Sequence, residues 1–151
     1  MSATSAKLLF SAYSFETGLT FSSIFIVYEI SSIIYVFLAT SLIMLIFALL
    51  GYFTKIDLTK LGTFLIMAIV GIIIMSIINI FVGNESFSLG IAIASVIIFV
   101  GFIAYDVQKI KNLYDTDLIP EENLAIYGAL QLYLDFINIF IDLLRIFGRD
   151  N

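Results

Sequence analysis

Five runs of about 20 apolar residues, joined by short charged connections, dominate this 151-residue chain. They cover about 8–28, 31–53, 61–82, 88–105 and 124–147. A helical run of that length reaches across the ~30 Å hydrocarbon core of a bilayer, since each residue adds about 1.5 Å. With 62% hydrophobic and 13% charged residues, a water-soluble fold has too little polar surface to cover them. Inside lipid each backbone N–H and C=O must be satisfied within its own segment, which selects helices. The expectation is an all-α, polytopic membrane helix bundle forming one domain over 1–151. Lys7 is the only early cation, and the apolar run behind it is long enough to span, so no cleavable signal is expected.

Composition also removes several chemistries. Neither cysteine nor histidine occurs, which excludes a disulfide framework, a thiolate nucleophile, a Ser-His-Asp triad, histidine-ligated zinc and an imidazole pH switch. Carboxylates remain as the proton-sensing groups. The net charge of −5 resides mostly in loops and points to no nucleic-acid partner. The sole proline, Pro120, lies in the one substantial loop, 106–123, which carries Lys109 and Lys111 and then Asp115, Asp117, Glu121 and Glu122. That loop is expected to begin as a helical extension and to turn between Asp115 and Pro120.

Charge placement predicts the orientation. Lys7, Lys55, Lys60, Lys109 and Lys111 all fall on one side if the first four segments alternate, whereas the opposite loops hold Glu29, Asn84 and Glu85. The positive-inside rule makes the lysine side cytoplasmic. A full crossing by the fifth segment would carry Arg145 and Arg149 outside, so that segment either dips and returns or lets packing override two terminal charges.

Polar residues inside the apolar runs are the candidates for function. Gln131, Asp135, Asn138, Asp142 and Arg145 fall within roughly 80° of one another on a helix and form one polar stripe. Asp106 closes the fourth run. An ionised aspartate at mid-bilayer costs about 2.5 to 3.5 kcal/mol even on lenient scales, so such groups face bundle interiors and mark ion or proton pathways. Simpler roles compete for each. Asp106 can pair with Lys109 or Lys111 at the interface, Asp142 can pair with Arg145 or Arg149, and Glu16 either lines a pore or snorkels. Asp57 reads as a helix-start residue. Ser76 and Asn79 read as helix-to-helix hydrogen-bonding groups, and Gly18, Gly71 and Gly101 as close-contact positions. Tyr28, Tyr52 and Tyr105 suit the membrane interface.

Three ordered stretches carry a resemblance: Gly51-Tyr-Phe-Thr-Lys-Ile-Asp-Leu, Val100-Gly-Phe-Ile-Ala-Tyr-Asp-Val-Gln-Lys-Ile-Lys and Leu132-Tyr-Leu-Asp-Phe-Ile-Asn-Ile-Phe. Together they resemble the bacterial branch of the Bax inhibitor-1 (TMBIM) family, over essentially the whole chain. Tyr13 to Phe25 resembles that family's third membrane helix. The resemblance implies a seven-span helical fold with the last helix central, and a calcium leak gated by protons at two aspartates, which by motif are Asp106 and Asp135. It further implies that the family's first two membrane helices, and an arginine latch on the second, have no counterpart here. Asp142 departs from the family, whose members usually have an apolar residue there.

The expected mechanism follows from electrostatics. Two carboxyls brought together at low dielectric cannot both ionise cheaply and tend to share a proton. Loss of that proton as pH rises leaves like charges repelling and exposes hard oxygens of the kind calcium accepts, a metal contact assigned to Asp106 and Asp135. Tyr105, Gln108, Gln131 and Asn138 are expected to support the pair by hydrogen bonds, with Glu16 and Asp142 as further pore-lining carboxylates. No resident cofactor is expected; calcium is the permeant ion, and protons and the lipid bilayer are the other partners. The location expected is a bacterial inner membrane, multi-pass. One competing reading is a non-transporting scaffold that regulates stress or cell-death partners. Another, an intramembrane aspartyl protease, shares the Tyr105-Asp106 half of its signature but lacks a glycine-flanked second aspartate, and no enzymatic activity is expected.

Overall fold

Each long apolar run becomes a helix whose ends are set by the polar or turn-forming residues beside it. The computed structural model describes residues 3–148. Its helices are α1 (Ala3–Ser22), α2 (Ile24–Val27), α3 (Ile30–Phe53), α4 (Thr59–Val82), α5 (Glu85–Thr116) and α6 (Glu121–Phe147). Asp57 sits ahead of α4, where its Oδ1 accepts from the Thr59 N–H at 3.0 Å and from the Thr59 hydroxyl at 2.6 Å. These two bonds hold the exposed Asp57 carboxyl below its ordinary carboxylate range. Asn84 caps α5 by accepting from the Phe87 N–H at 3.1 Å. Asp117, in the left-handed region at φ 57°, ends α5, and Pro120 leads into α6.

Among the described residues, α3, α4, α5 and α6 are long and apolar enough to cross a membrane. The first of the five expected segments, 8–28, does not reach that level. It is divided at Ser23 into α1 and α2, and Lys7, Ser11, Ser14, Glu16 and Thr17 dilute its apolar character. The helical extension expected after the fourth run is present, ending at Thr116 and Asp117: at 32 residues, α5 is about 48 Å long and projects past a ~30 Å hydrocarbon layer. No dip and return occurs in the last segment. Helix α6 is continuous over 27 residues, so Arg145 stands at the end opposite Glu121, while Arg149 lies outside the described residues.

The bundle is built around α5 and α6, which pack along each other, with α3 against both, α4 against α5, and α1 against α6. Ile33 and Val36 of α3, Ile103 of α5, and Ile139, Phe140, Leu143 and Leu144 of α6 form the buried core. The outside is apolar as well: Phe64, Ile80 and Phe81 are 61%, 77% and 86% exposed. Meanwhile Thr40, Ser95, Asp106, Asp135 and Asp142 are buried. Apolar surface outward and polar groups inward is the arrangement a lipid solvent favours.

Of the glycines expected at close helix contacts, Gly101 is at one, where a side chain would press on Leu65 of α4 at 3.2 Å, whereas nothing lies within 4 Å of a side chain placed at Gly18 or Gly71. Gly51 and Gly62 are the tight positions. A side chain at Gly51 of α3 would run into the Ala104 backbone of α5, and one at Gly62 of α4 into the Tyr105 ring. Small residues allow such approach where lipid supplies no hydrophobic drive for association.

The lysines share one end of the bundle. Lys7 pairs with Glu122 at 2.6 Å, and Lys111 donates to the Tyr52 carbonyl at 2.8 Å. The loop that separates Lys55 from Lys60 is bound to Gln108 of α5. Engineered cysteines at Ile56→Cys and Asp117→Cys are therefore expected to react with impermeant thiol reagents from the cytoplasm, and Asn84→Cys from the opposite face. Labelling of positions 56 and 84 from the same side would overturn this topology.

Candidate functional site

The polar stripe of α6 and the end of the α5 apolar run face each other across the antiparallel α5–α6 contact. Ile110 packs over Gly128, and about one turn back along α5 and two turns on along α6 Asp106 meets Asp135. Their side chains lie beside each other, and they are 6% and 3% exposed. The Oδ2 atom of each is buried without a hydrogen-bond partner. Two carboxylates cannot donate to one another, so a contact of this kind is satisfied when one carboxyl carries a proton.

No cation neutralises the pair at close range. Lys109, one turn along α5, directs its ammonium over the Tyr127 ring at 5.5 Å and the Tyr105 ring at 6.0 Å. Lys111 lies over the Tyr52 ring at 4.6 Å. Neither forms an ion pair with Asp106 among the described residues. The interfacial pairing open to Asp106 on sequence grounds is thus absent. Cation–π contacts at the lysine-bearing end of the bundle take up both lysines.

The expected supporting groups are mostly engaged elsewhere. Gln108 uses both ends of its amide on the α3–α4 loop: its Oε1 accepts from the Leu58 N–H at 2.8 Å, and its Nε2 donates to the Ile56 carbonyl at 2.7 Å. One residue of helix rotation is about 100°, which turns Tyr105 away from α6 and onto Gly62 of α4. Asn138 donates to the Leu134 carbonyl of its own helix at 2.8 Å, a common outcome for a short amide one turn from a carbonyl. Gln131 is half-buried one turn before Asp135, and its side-chain amide makes no hydrogen bond to another described residue.

The two further carboxylates separate. Glu16 lies on the exposed surface of α1, which turns Phe10 and Tyr13 toward Tyr133 of α6, both at 6.0 Å between ring centroids. It is not brought to the pair. Asp142 is buried, at 8% exposure, and its polar neighbour is the Ser95 hydroxyl of α5. No ion pair joins it to Arg145, which is exposed; Arg149, the other partner open to it, is outside the described residues. Ser95 had no part in the sequence reading. The signal lay in its spacing: Ser95 and Asp106 are 11 residues apart, within about 20° on one helical face.

As a metal contact the pair is sparse. Among the described residues no group of three or more acidic, histidine or cysteine side chains is assembled, whereas calcium takes six to eight oxygens. Asp106 and Asp135 together offer four carboxylate oxygens.

A family model described as inhibitor of apoptosis-promoting Bax1 matches residues 1–151. The chain is 46% identical over 153 residues to the inner membrane protein YbhL of Escherichia coli K12, an overlap covering 99% of this chain and 65% of that protein. It is 42% identical over 152 residues to a protein of Borreliella burgdorferi, covering 99% of this chain and 66% of the relative. A Rickettsia prowazekii protein is 37% identical over 152 residues, at 99% and 64% coverage. This chain spans about 65% of the length of these relatives.

Proposed function

Because this chain belongs to the Bax inhibitor-1 family, we propose that it contributes to a calcium leak across a bacterial inner membrane, closed by a proton shared between Asp106 and Asp135 and opened as that proton is lost. The relative in Escherichia coli, by name an inner membrane protein, supports the location. The observation that carries the gating is the meeting of two buried carboxyls whose Oδ2 atoms have no donor. With the proton in place, one hydrogen bond ties α5 to α6. Without it, two like charges face each other in a medium that screens them poorly.

The sign follows directly. Rising pH removes the proton, weakens the α5–α6 tie and presents oxygens with net charge to a cation, so opening and calcium attraction increase together. A one-proton transition raises the deprotonated fraction by up to about tenfold per pH unit on its acidic side. Purified protein in liposomes, loaded with a calcium indicator, should therefore show calcium entry that increases between about pH 6 and 8. Absence of flux at every pH would favour the alternative, a non-transporting scaffold in which the aspartates only fix helix packing. Flux that falls as pH rises would defeat the gating assignment itself. No peptide cleavage is expected in the same preparation.

A further inference from the structure

We infer that Gln108 is a positioning residue of the gate: by gripping the α3–α4 loop with both ends of its amide, it makes α5 move as one body with α3 and α4. Opening then parts α6 from that body. This role rests on the Asp106–Asp135 contact being the gate. Gln108 follows Asp106 by two residues, and at about 100° per residue the two point in directions roughly 160° apart. Ala104, Tyr105, Gln108 and Lys111 share an arc of about 120°, and each is engaged by α3, α4 or the loop between them. Gly51 lies on the Ala104 backbone and Gly62 on the Tyr105 ring. Gln108 holds Leu58 and Ile56, and Lys111 donates to the Tyr52 carbonyl at 2.8 Å. On the other side of α5, Ile110 meets Gly128 of α6 and Asp106 meets Asp135.

The two faces differ in kind. Leu58 and Ile56 precede α4, so the Leu58 N–H and the Ile56 C=O fall outside its hydrogen-bond ladder. A carboxamide presents one acceptor and one donor and satisfies both, at 2.8 and 2.7 Å; a carboxylate or an ammonium matches only one of them. Pulling α5 from the loop would strip partners from two backbone groups beside the bilayer, which is costly. The tight contact of Gly51 with the Ala104 backbone adds a second point of attachment about one turn away. Across α5–α6 the Ile110 side chain rests on Gly128, and the Lys109 ammonium stands over the Tyr127 ring at 5.5 Å. Side-chain contacts of that sort slide without stranding a backbone group. The ionisable groups toward Asp106 are Asp135 of α6 and Lys109 of its own helix. The buried positions of α3 and α4 are Ile33, Val36, Thr40, Gly51, Gly62 and Leu65, none ionisable. Repulsion at the pair therefore acts between α6 and the fastened unit.

Distances between paired spin labels on the full chain in liposomes test this without relying on ion flux. The chain has no cysteine, so labels go only to introduced ones, at the exposed positions Lys60→Cys in α4, Asn112→Cys in α5 and Ala125→Cys in α6. Between about pH 6 and 8 the 60–112 distance should stay fixed, while 112–125 should lengthen by about 1 to 2 Å or more, the scale of helix shifts in switching proteins. Gln108→Met keeps the length of the side chain and removes both hydrogen bonds, so it should broaden the 60–112 distribution. In the unmodified protein the Leu58 amide, although outside any helix, should exchange its hydrogen slowly, which tests the grip even if the variant misfolds. A 60–112 distance that changes with pH while 112–125 does not, a 60–112 distribution still sharp in Gln108→Met, or fast exchange at Leu58 would each overturn the role of Gln108. Distances indifferent to pH throughout would count against the gate itself; the Gln108→Met broadening and the Leu58 exchange, both read at a single pH, then still decide whether Gln108 fastens α5.

Discussion

Asp135→Asn is expected to flatten the pH dependence of calcium entry, leaving a change of less than about twofold across a range where the proposed gating gives the parent protein up to about tenfold per pH unit. An asparagine has the size of a protonated aspartate and can still hydrogen-bond to Asp106 across the α5–α6 contact. It can never take part in like-charge repulsion. The tie between the helices becomes permanent, and the oxygens offered to a cation lose one unit of charge. Flux should therefore stay near its low-pH level throughout. Asp106→Asn should behave in the same way, because the proton belongs to the pair rather than to either residue. Retention of the parent pH profile in either variant would remove the pair from the gate.

The second large effect is structural. Gly51→Val inserts a branched side chain where α3 lies directly on the Ala104 backbone of α5. Backbone cannot move aside as a flexible side chain can, so the helices must separate, and overpacking of this kind costs typically 1 to 3 kcal/mol and occasionally more. Membrane proteins are held by van der Waals fit rather than by expulsion of water, so a lost close contact is not recovered by alternative burial. Gly51→Val should lower the thermal midpoint in detergent and the yield of monodisperse protein, whereas Gly71→Val, with open space around it, should do neither. Equal stability of the two variants would contradict the α3–α5 packing.

The residues of α5 and α6 show which part of the site was open to sequence reasoning. Asp106 and Asp135 stood out because charge within apolar runs is costly, and that cost is a local property. Their supporting groups were misplaced for the converse reason. Tyr105, Gln108 and Asn138 are near the aspartates in sequence, yet a helix turns about 100° per residue. Tyr105 is carried to α4, Gln108 to the α3–α4 loop, and Asn138 back to its own helix. Ser95, distant in sequence, is brought beside Asp142.

Run length, composition and flanking polar residues by themselves determined that the chain is a helical membrane bundle, where α3 to α6 start and stop, and that its lysines gather at one end. These depend on the bilayer thickness and on backbone hydrogen bonding, which act segment by segment. Only the tertiary structure decided that Gln108 binds the α3–α4 loop, that Lys109 and Lys111 turn to tyrosines, and that Gly51 and Gly62 rather than Gly18 and Gly71 set the helix spacing. Helices α3 and α4, and α5 over its membrane-crossing length, are apolar nearly all round, so their sequences carry little record of which face turns inward. Rotation and register come from the fit of whole helix surfaces against one another, a property of the assembled bundle and of no single segment.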